Sequence, residues 1–265
     1  MDLKKKKILV FDLEVAAYDY ETHFDEETKE YLVKFAKNEE EKKAAIEALV
    51  FTPFTSYLVA IGLLDYNEKS GAVLVNAGAD VKLNPEKRLA SEKLLNFNTG
   101  SDENGKERLY EEEKLSKLTY LVASEKEMLE MFWQKIRNKG YNLFVTFNGR
   151  EFDCPYIMLR SFQLGIKPSY NLMSGTDFNI KGYHIDLMKE MTFNKHSPTG
   201  ARRKFSLDFY CKMLGIPSPK AEGVKGDMVS DLYNKGEYQK IADYCFGDVI
   251  ATSNLFNLWN KYLDL

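Results

Sequence analysis

Cysteine and histidine are both scarce in this sequence, with three of each among 265 residues. The cysteines, Cys154, Cys211 and Cys245, lie far apart and form no Cys-x-x-Cys pair. A disulfide framework is built from an even set of spaced cysteines, and structural zinc sites need closely spaced cysteine and histidine ligands. The sequence therefore indicates neither, and a metal site would have to be made of oxygen ligands.

Long hydrophobic runs and an excess of charge are also missing. The apolar run 57–64 falls well short of the roughly 20 residues of a membrane span. The lysines at 4–7 precede a segment that Asp12 and Glu14 soon interrupt, unlike a signal peptide. We therefore expect a soluble protein of a reducing cytoplasm, without membrane contact. The formal net charge of -3 leaves no overall basic surface, so a contact with nucleic acid must be local.

The composition is that of a folded protein of mixed α/β class. Hydrophobic residues make up 44% of the sequence and aromatic residues 13%, enough for one large domain, 1–265, with insertions. The patterns predict strands over 7–15, 56–66, 71–77 and 142–149, the second and third forming a hairpin. They predict helices over 124–140, 154–165, 206–215 and 238–263. This order indicates a mixed sheet with helices against it.

Two segments are expected to be insertions. One lies near 20–50 and has a charged helical pattern over 25–49. The other lies near 84–117; it is polar, contains glycine and asparagine, and gives little reason to expect core residues.

Carboxylates recur at three places that could meet in the fold. Asp12 and Glu14 stand two apart in the first strand, so their side chains share a face. Asp153 follows a predicted strand end at 148–149, where a plain helix N-cap is the alternative. Tyr244 and Asp248 stand four apart and face the same way on a helix, although such a pair is common on helix surfaces.

Convergence of these carboxylates would need a positive partner. Two unit charges about 4 Å apart repel by roughly 4 kcal/mol at an effective dielectric constant near 20. No lysine or arginine adjoins Asp12, Glu14 or Asp248 in the sequence. Hard oxygen ligands suit Mg²⁺ or Mn²⁺. Two such ions about 3.5 to 4 Å apart can activate water and stabilise the leaving oxygen of a phosphodiester.

The segments "FDLEV", "FNGREFDCPYIMLRS" and "YCFGDVIAT", in this order, resemble the three motifs of the DEDD superfamily of 3′-5′ exonucleases, in the variant with a tyrosine in the third motif. Within it, the sequence is similar to the predicted 3′-5′ exonucleases related to the proofreading domain of family B DNA polymerases. The resemblance extends from about residue 7 to the C-terminus, with 20–50 and 84–117 unmatched.

The resemblance implies an RNase H-like fold, a mixed sheet of about five strands with helices on both faces. It implies that Asp12, Glu14, Asp153 and Asp248 hold two Mg²⁺ or Mn²⁺ ions, with Asp12 shared between them. Tyr244 would orient the attacking water. The implied reaction is hydrolysis of the terminal phosphodiester at a single-stranded 3′ end, with DNA favoured over RNA, to give nucleoside 5′-monophosphates.

Substrate contacts are also suggested. Asn148 and Phe152 resemble positions where the family contacts the terminal nucleotides, and the alternative for Phe152 is a core residue. The loop 194–204 contains four cations, and the alternative is an ordinary solvated loop; they are Lys195, Arg202, Arg203 and Lys204. For Asp186 we expect a structural role, and for the neighbouring His184 satisfied hydrogen bonds and no role as a metal ligand.

Two further functions stay open at this point. One is a catalytically silent nucleic-acid-binding or polymerase-accessory module on the same fold, although all four acids and the tyrosine are present. The other is an unrelated metal phosphohydrolase acting on nucleotides. The sequence contains no polymerase domain, so proofreading within the same chain is not expected. It predicts no oligomeric state.

Overall fold

The computed structural model describes residues 3–96, 100–101, 107–108, 111–175, 182–195, 197–217 and 226–264. The strands among these residues are β1 (Ile8–Ala17), β2 (Ser56–Asp65), β3 (Ser70–Asn76), β4 (Lys93–Asn96), β5 (Gly100–Ser101), β6 (Glu107–Arg108), β7 (Glu111–Lys114), β8 (Lys117–Ala123), β9 (Leu143–Thr146) and β10 (His184–Asp186). The α-helices are α1 (Tyr20–His23), α2 (Glu26–Val33), α3 (Glu39–Glu47), α4 (Glu86–Ser91), α5 (Glu125–Lys139), α6 (Asp153–Gln163), α7 (Leu187–Met191), α8 (Leu207–Leu214), α9 (Val229–Asn234) and α10 (Tyr238–Tyr262). Short 3₁₀ helices occupy Leu3–Lys5, Ala48–Phe51 and Gly226–Met228.

The central sheet has six strands among the described residues, in the order β10-β9-β1-β2-β3-β8. β1, β2 and β3 pair antiparallel, which confirms the predicted hairpin. The pairs β1–β9, β9–β10 and β3–β8 are parallel. The sheet is therefore mixed as predicted, but it has one strand more than the expected five. The sequence patterns did not single out β8 or β10, because β8 mixes polar with apolar residues and β10 is only three residues long.

Helices cover both faces of the sheet, as predicted. Along β1, Ile8 and Val10 belong to the core cluster that includes α10, whereas Leu9 and Phe11 belong to the cluster that includes α5 and α6. This alternation follows from the two-residue period of a strand, so each face of β1 is buried against a helix.

The long helix α10 lies unusually close to β2. A Cβ atom at Gly62 would be 2.7 Å from Cγ2 of Val249, a distance that only glycine avoids. Gly62 is also the residue that pairs with Asp12 on β1. The missing side chain therefore lets α10 approach the sheet next to the first acidic residue.

The predicted helices are confirmed within one or two residues at their ends. In α5, Ser124 and Glu127 form a reciprocal capping box, and Gly140 ends the helix in the left-handed conformation at φ 64°. No helix in the described part of the chain combines the length and the apolar character that crossing a membrane requires.

The two predicted insertions differ in character. The first contains α1, α2, α3 and the 3₁₀ helix Ala48–Phe51, and none of these α-helices has a buried residue. In the second, Leu94 and Leu95 are buried in the core, so the expectation of little core there is wrong. The amides of Asn254 and Asn257 on α10 bond the backbone of Leu95, which fixes β4 against that helix. Residues 97–99, 102–106 and 109–110 of this insertion lie outside the described residues.

Candidate active site

The first two carboxylates project from the middle of the sheet. Asp12 and Glu14 are in β1, and Glu14 is only 7% exposed. The pairing of β1 with β2 shifts register directly after Glu14, between Glu14 and Val15. Such an irregularity increases local twist and is frequent beside active sites.

The third carboxylate enters from the turn after β9. Asn148 adopts φ 66° there, and the buried carboxylate of Asp186 accepts hydrogen bonds from the backbone N–H groups of Asn148 and Arg150, both at 2.9 Å. This clamp fixes the turn that leads into α6, which begins at Asp153. The structural role expected for Asp186 is thereby confirmed.

Asp153 is 3% exposed and points toward β1. Its carboxylate accepts a hydrogen bond from the backbone N–H of Leu13, between the first two acids. The N-cap residue of α6 is Phe152, which makes no side-chain cap bond. The alternative that Asp153 is a plain helix N-cap is therefore wrong. One of its oxygens, Oδ1, is buried without a hydrogen-bond partner among the described residues.

The remaining predicted residues come from α10. Tyr244 and Asp248 are one turn apart, and the Tyr244 hydroxyl donates to the Asp248 carboxylate. Burial, followed by the charges of Asp248, Glu14 and Asp12, raises the pKa of Tyr244. The phenol therefore stays protonated and remains a hydrogen-bond donor beside the acids.

Mutual repulsion and burial dominate the electrostatics of this group. Burial, followed by the charges of Asp153, Asp248 and Glu14, raises the pKa of Asp12 well above its ordinary value. The pKa of Glu14 is also raised well above its ordinary value, by burial and then by Asp248 and Asp153. Burial, with smaller contributions from Asp186 and Asp248, raises the pKa of Asp153 to about 7. Four acids from three separate segments thus lie close enough to interact electrostatically, and they are hereafter called the acidic cluster: Asp12, Glu14, Asp153 and Asp248.

A cysteine that the sequence motifs did not single out lies beside this cluster. Among the described residues, the tightest group of possible ligand atoms joins Asp12, Glu14 and Cys245, all within 4.8 Å of one another. The Cys245 Sγ lies 3.8 Å from the backbone oxygen of Asp12, to which it donates. Burial and the neighbouring acids raise the thiol pKa well above its ordinary value, so the sulfur stays protonated. Its position next to Tyr244 in the third motif was the available signal.

The acidic cluster fits hard divalent cations. The pKa values of Asp12, Glu14 and Asp153 are raised by burial and by other carboxylates, and a cation would relieve both effects. The buried oxygen of Asp153 that accepts no hydrogen bond is a further possible ligand atom for a cation. Carboxylate oxygens are the ligands that Mg²⁺ and Mn²⁺ prefer, whereas a protonated thiol is a poor ligand for either.

One predicted basic residue reaches the turn next to the cluster. Lys204 Nζ donates to Oδ1 of Asn148 at 3.1 Å, so the loop 194–204 lies against the turn that precedes α6. Arg202 and Arg203 are exposed, and the Arg203 guanidinium lies 5.0 Å from the ring centre of Phe205. Residue 196 of this loop lies outside the described residues.

Phe152 and His184 occupy different environments. Phe152 is half-buried, packs against the core cluster of α5 and α6, and also lines an open cleft. The ring therefore packs partly in the core and partly borders the cleft, and its contact with nucleotides stays a prediction. His184 is buried and bonded to the Thr146 hydroxyl at 2.8 Å, and burial lowers its pKa to about 3. It is neutral and lies outside the acidic cluster, as expected.

A mixed sheet with helices on both faces, and carboxylates gathered against its central strand, defines an RNase H-like exonuclease fold. The chain belongs to the family described as predicted 3′-5′ exonucleases related to the exonuclease domain of PolB, whose model matches residues 106–263, more than half of the chain. The matched residues include Asp153, Tyr244 and Asp248 but not Asp12 or Glu14.

The curated proteins to which the chain is similar include DNA polymerases. A DNA polymerase of Pyrococcus glycovorans is 29% identical over 148 residues, which are 51% of this chain and 18% of that protein. DNA polymerase 1 of Sulfolobus acidocaldarius is 35% identical over 110 residues, 38% of this chain and 12% of that protein. A DNA polymerase of Pyrococcus horikoshii is 29% identical over 152 residues, 51% of this chain and 11% of that protein. The aligned region therefore spans less than a fifth of each relative.

Proposed function

We propose that the chain is a two-metal-ion 3′-5′ exonuclease that hydrolyses the terminal phosphodiester of a single-stranded nucleic acid, DNA in preference to RNA, and releases nucleoside 5′-monophosphates. The observation that carries the proposal is the convergence of four carboxylates from β1, the start of α6 and α10 into one cluster, of which Glu14 and Asp153 are buried. Membership of a family of predicted 3′-5′ exonucleases supports the same reaction.

The four acids would hold two Mg²⁺ or Mn²⁺ ions in the acidic cluster. When bound, such ions supply Lewis acidity toward a phosphate and lower the pKa of water. The protein contributes Asp12, Glu14, Asp153 and Asp248 as ligands in ionised form. The assignment matches the tyrosine variant of the DEDD exonucleases.

Tyr244 would contribute hydrogen bonding and not charge. Its hydroxyl is already oriented by the bond to Asp248, and its raised pKa keeps the proton in place. Such a group can hold a water molecule in line for attack, as orientation of reacting groups is a large part of catalysis. Loss of the hydroxyl should therefore lower turnover without removing the ligands.

The substrate strand would be held by the loop 194–204 and by the turn before α6. Lys204, Arg202 and Arg203 offer charges for the phosphate backbone. Asn148, already in contact with Lys204, and Phe152 would face the terminal nucleotides, where an aromatic ring can stack on a base.

The test is degradation of 3′- and 5′-labelled single-stranded DNA and RNA in Mg²⁺ or Mn²⁺, with Asp248→Asn as the site variant. The matched control is Asp80→Asn, because Asp80 is an exposed acid in the loop after β3. We expect stepwise shortening from the 3′ end that chelator and Asp248→Asn abolish and Asp80→Asn preserves. Binding of the strand without turnover would identify a silent module. Preference for mononucleotide phosphates would identify a phosphohydrolase.

A further inference from the structure

A cleft of about 790 Å³ opens beside the acidic cluster, within the size range of small-molecule sites. Glu14 belongs both to this cleft and to the acidic cluster, so the two are continuous. Strand β1 contributes Leu13 and Val15 to the lining. Across the cleft stands the first insertion, residues 20–51, which contributes Ile46, Val50 and Phe51.

Two aromatic rings give this cleft its chemical character. The ring centres of Phe51 and Phe152 are 6.1 Å apart, with the planes at 80°. Phe51 is 67% exposed, so one face of its ring has no packing role in the core. An apolar cleft with an exposed aromatic ring, continuous with a carboxylate cluster, fits a ligand with a flat aromatic part joined to an anionic part. A nucleotide has both parts, with the base on the aromatic side and the phosphate at a cation held by the carboxylates.

The insertion is fixed to the body of the protein at both ends. Arg160 of α6 is 2% exposed, and it donates to the Tyr18 hydroxyl at 2.6 Å and to the Pro53 backbone oxygen at 3.0 Å. Its guanidinium also forms two bonds to Glu125, at 2.6 and 2.7 Å. The segments that enter and leave the insertion are thus tied to one buried cation. Because its two ends are already fixed, the insertion should lose little conformational entropy when a ligand binds against it.

We propose that the insertion 20–51 is a substrate-binding element of this chain, in which Phe51 stacks on a base of the strand held at the acidic cluster. The inference rests on the proposed function for the identity of the substrate. It assigns a role to a segment that lies outside the residues 106–263 matched by the family. Because a ring can stack on any base, Phe51 contributes affinity without sequence preference.

The test uses a short single-stranded DNA with 2-aminopurine as its 3′-terminal base, whose fluorescence is quenched by stacking. Binding is measured in Ca²⁺, which takes oxygen ligands with looser geometry than Mg²⁺, for the wild type and for Phe51→Ala, Phe51→Trp and Phe35→Ala. Phe35 is the matched control, since it follows α2 in the same insertion, is 84% exposed and does not line the cleft.

We expect Phe51→Ala to weaken binding by at least about fivefold, the lower end of the range for a lost base–aromatic stack, and to reduce the quenching. Phe51→Trp should restore both, and Phe35→Ala should behave as wild type. In Mg²⁺ the loss should raise KM for the strand more than it lowers kcat, as expected for binding shared by ground and transition states.

Two outcomes separate this inference from the proposed function. If the wild type degrades the strand but Phe51→Ala binds and quenches as the wild type does, the role of Phe51 is wrong and the nuclease assignment stands. If quenching depends on Phe51 but no hydrolysis occurs in Mg²⁺ or Mn²⁺, the cleft binds nucleic acid and the nuclease assignment fails.

Discussion

Replacement of Asp153 by asparagine should stabilise the metal-free protein at alkaline pH. Burial and neighbouring acids raise the pKa of Asp153 from 3.8 to about 7. The folded state therefore binds more protons than the unfolded state between about pH 4 and about pH 7, and the free energy of unfolding falls as the pH rises through this window. One pKa unit corresponds to about 1.4 kcal/mol, so the full shift costs about 4 kcal/mol above pH 7.

Asparagine has the shape of the protonated acid but does not titrate. Its amide oxygen can still accept the hydrogen bond that the Leu13 N–H donates to Asp153. In chelator, Asp153→Asn should therefore match the wild type near pH 4 and exceed it at pH 8 by a few kcal/mol, up to about the full 4 kcal/mol. Divalent cation should reverse the order, since ligand binding to the native state stabilises the wild type more.

Urea unfolding measures this difference directly. Trp133 and Trp259 are each 2% exposed, so their fluorescence reports unfolding of both core clusters. Curves are recorded in chelator and in Mn²⁺ from pH 4 to pH 8, with Asp80→Asn as a variant that should track the wild type throughout. The reasoning is refuted if Asp153→Asn is less stable than the wild type at pH 8 in chelator, or if the difference between the two does not change with pH.

Three further predictions concern the site in use. Tyr244→Phe should lower kcat by about tenfold to a hundredfold, because the attacking water would lose an orienting hydrogen bond, while Mn²⁺ still raises the melting temperature. An equal loss on replacing Tyr238, a half-buried tyrosine of the same helix, by phenylalanine would contradict this. Mn²⁺ should bind about tenfold more weakly at pH 6 than at pH 8, because protons compete for Asp153; calorimetry that shows equal affinity would argue against it. Lys204→Ala should weaken single-strand binding and reduce the salt slope by about 0.7, whereas exposed Lys212→Ala should not; an unchanged slope in Lys204→Ala would exclude a phosphate contact.

The elements that carry the acidic cluster could be predicted from the sequence because each has a strong local signal. The apolar run of β1 is interrupted only by Asp12 and Glu14, and α10 is a long apolar-faced helix that includes Tyr244 and Asp248. Their convergence was inferred from the motifs and not from periodicity, since no local pattern fixes how distant segments meet.

Features that depend on long-range contacts were missed or misjudged. β10 is three residues long, too short for any pattern, and it is held as a strand by pairing with β9. Leu94 lies in a polar stretch, and its burial follows from packing against α10. Cys245 was overlooked as a neighbour of the acids because its place beside Tyr244 was its only signal, and an isolated cysteine in a helix does not reveal which residues it faces. The bond from Lys204 to Asn148 spans 56 positions, and sequence alone gave no reason to choose Lys204 over the other cations of its loop.

The attachment of the first insertion through Arg160 has a consequence for how this fold can diversify. Tyr18 precedes the segment and Pro53 follows it, and both accept hydrogen bonds from the Arg160 guanidinium. The two ends of the segment are therefore held together whatever the number of residues between them. A longer or shorter segment between Tyr18 and Pro53 can therefore enlarge, reduce or remove this side of the cleft, while β2, the strand that follows, stays in register. The size and lining of the cleft can thus be changed by exchanging this one segment, while the acidic cluster stays as it is.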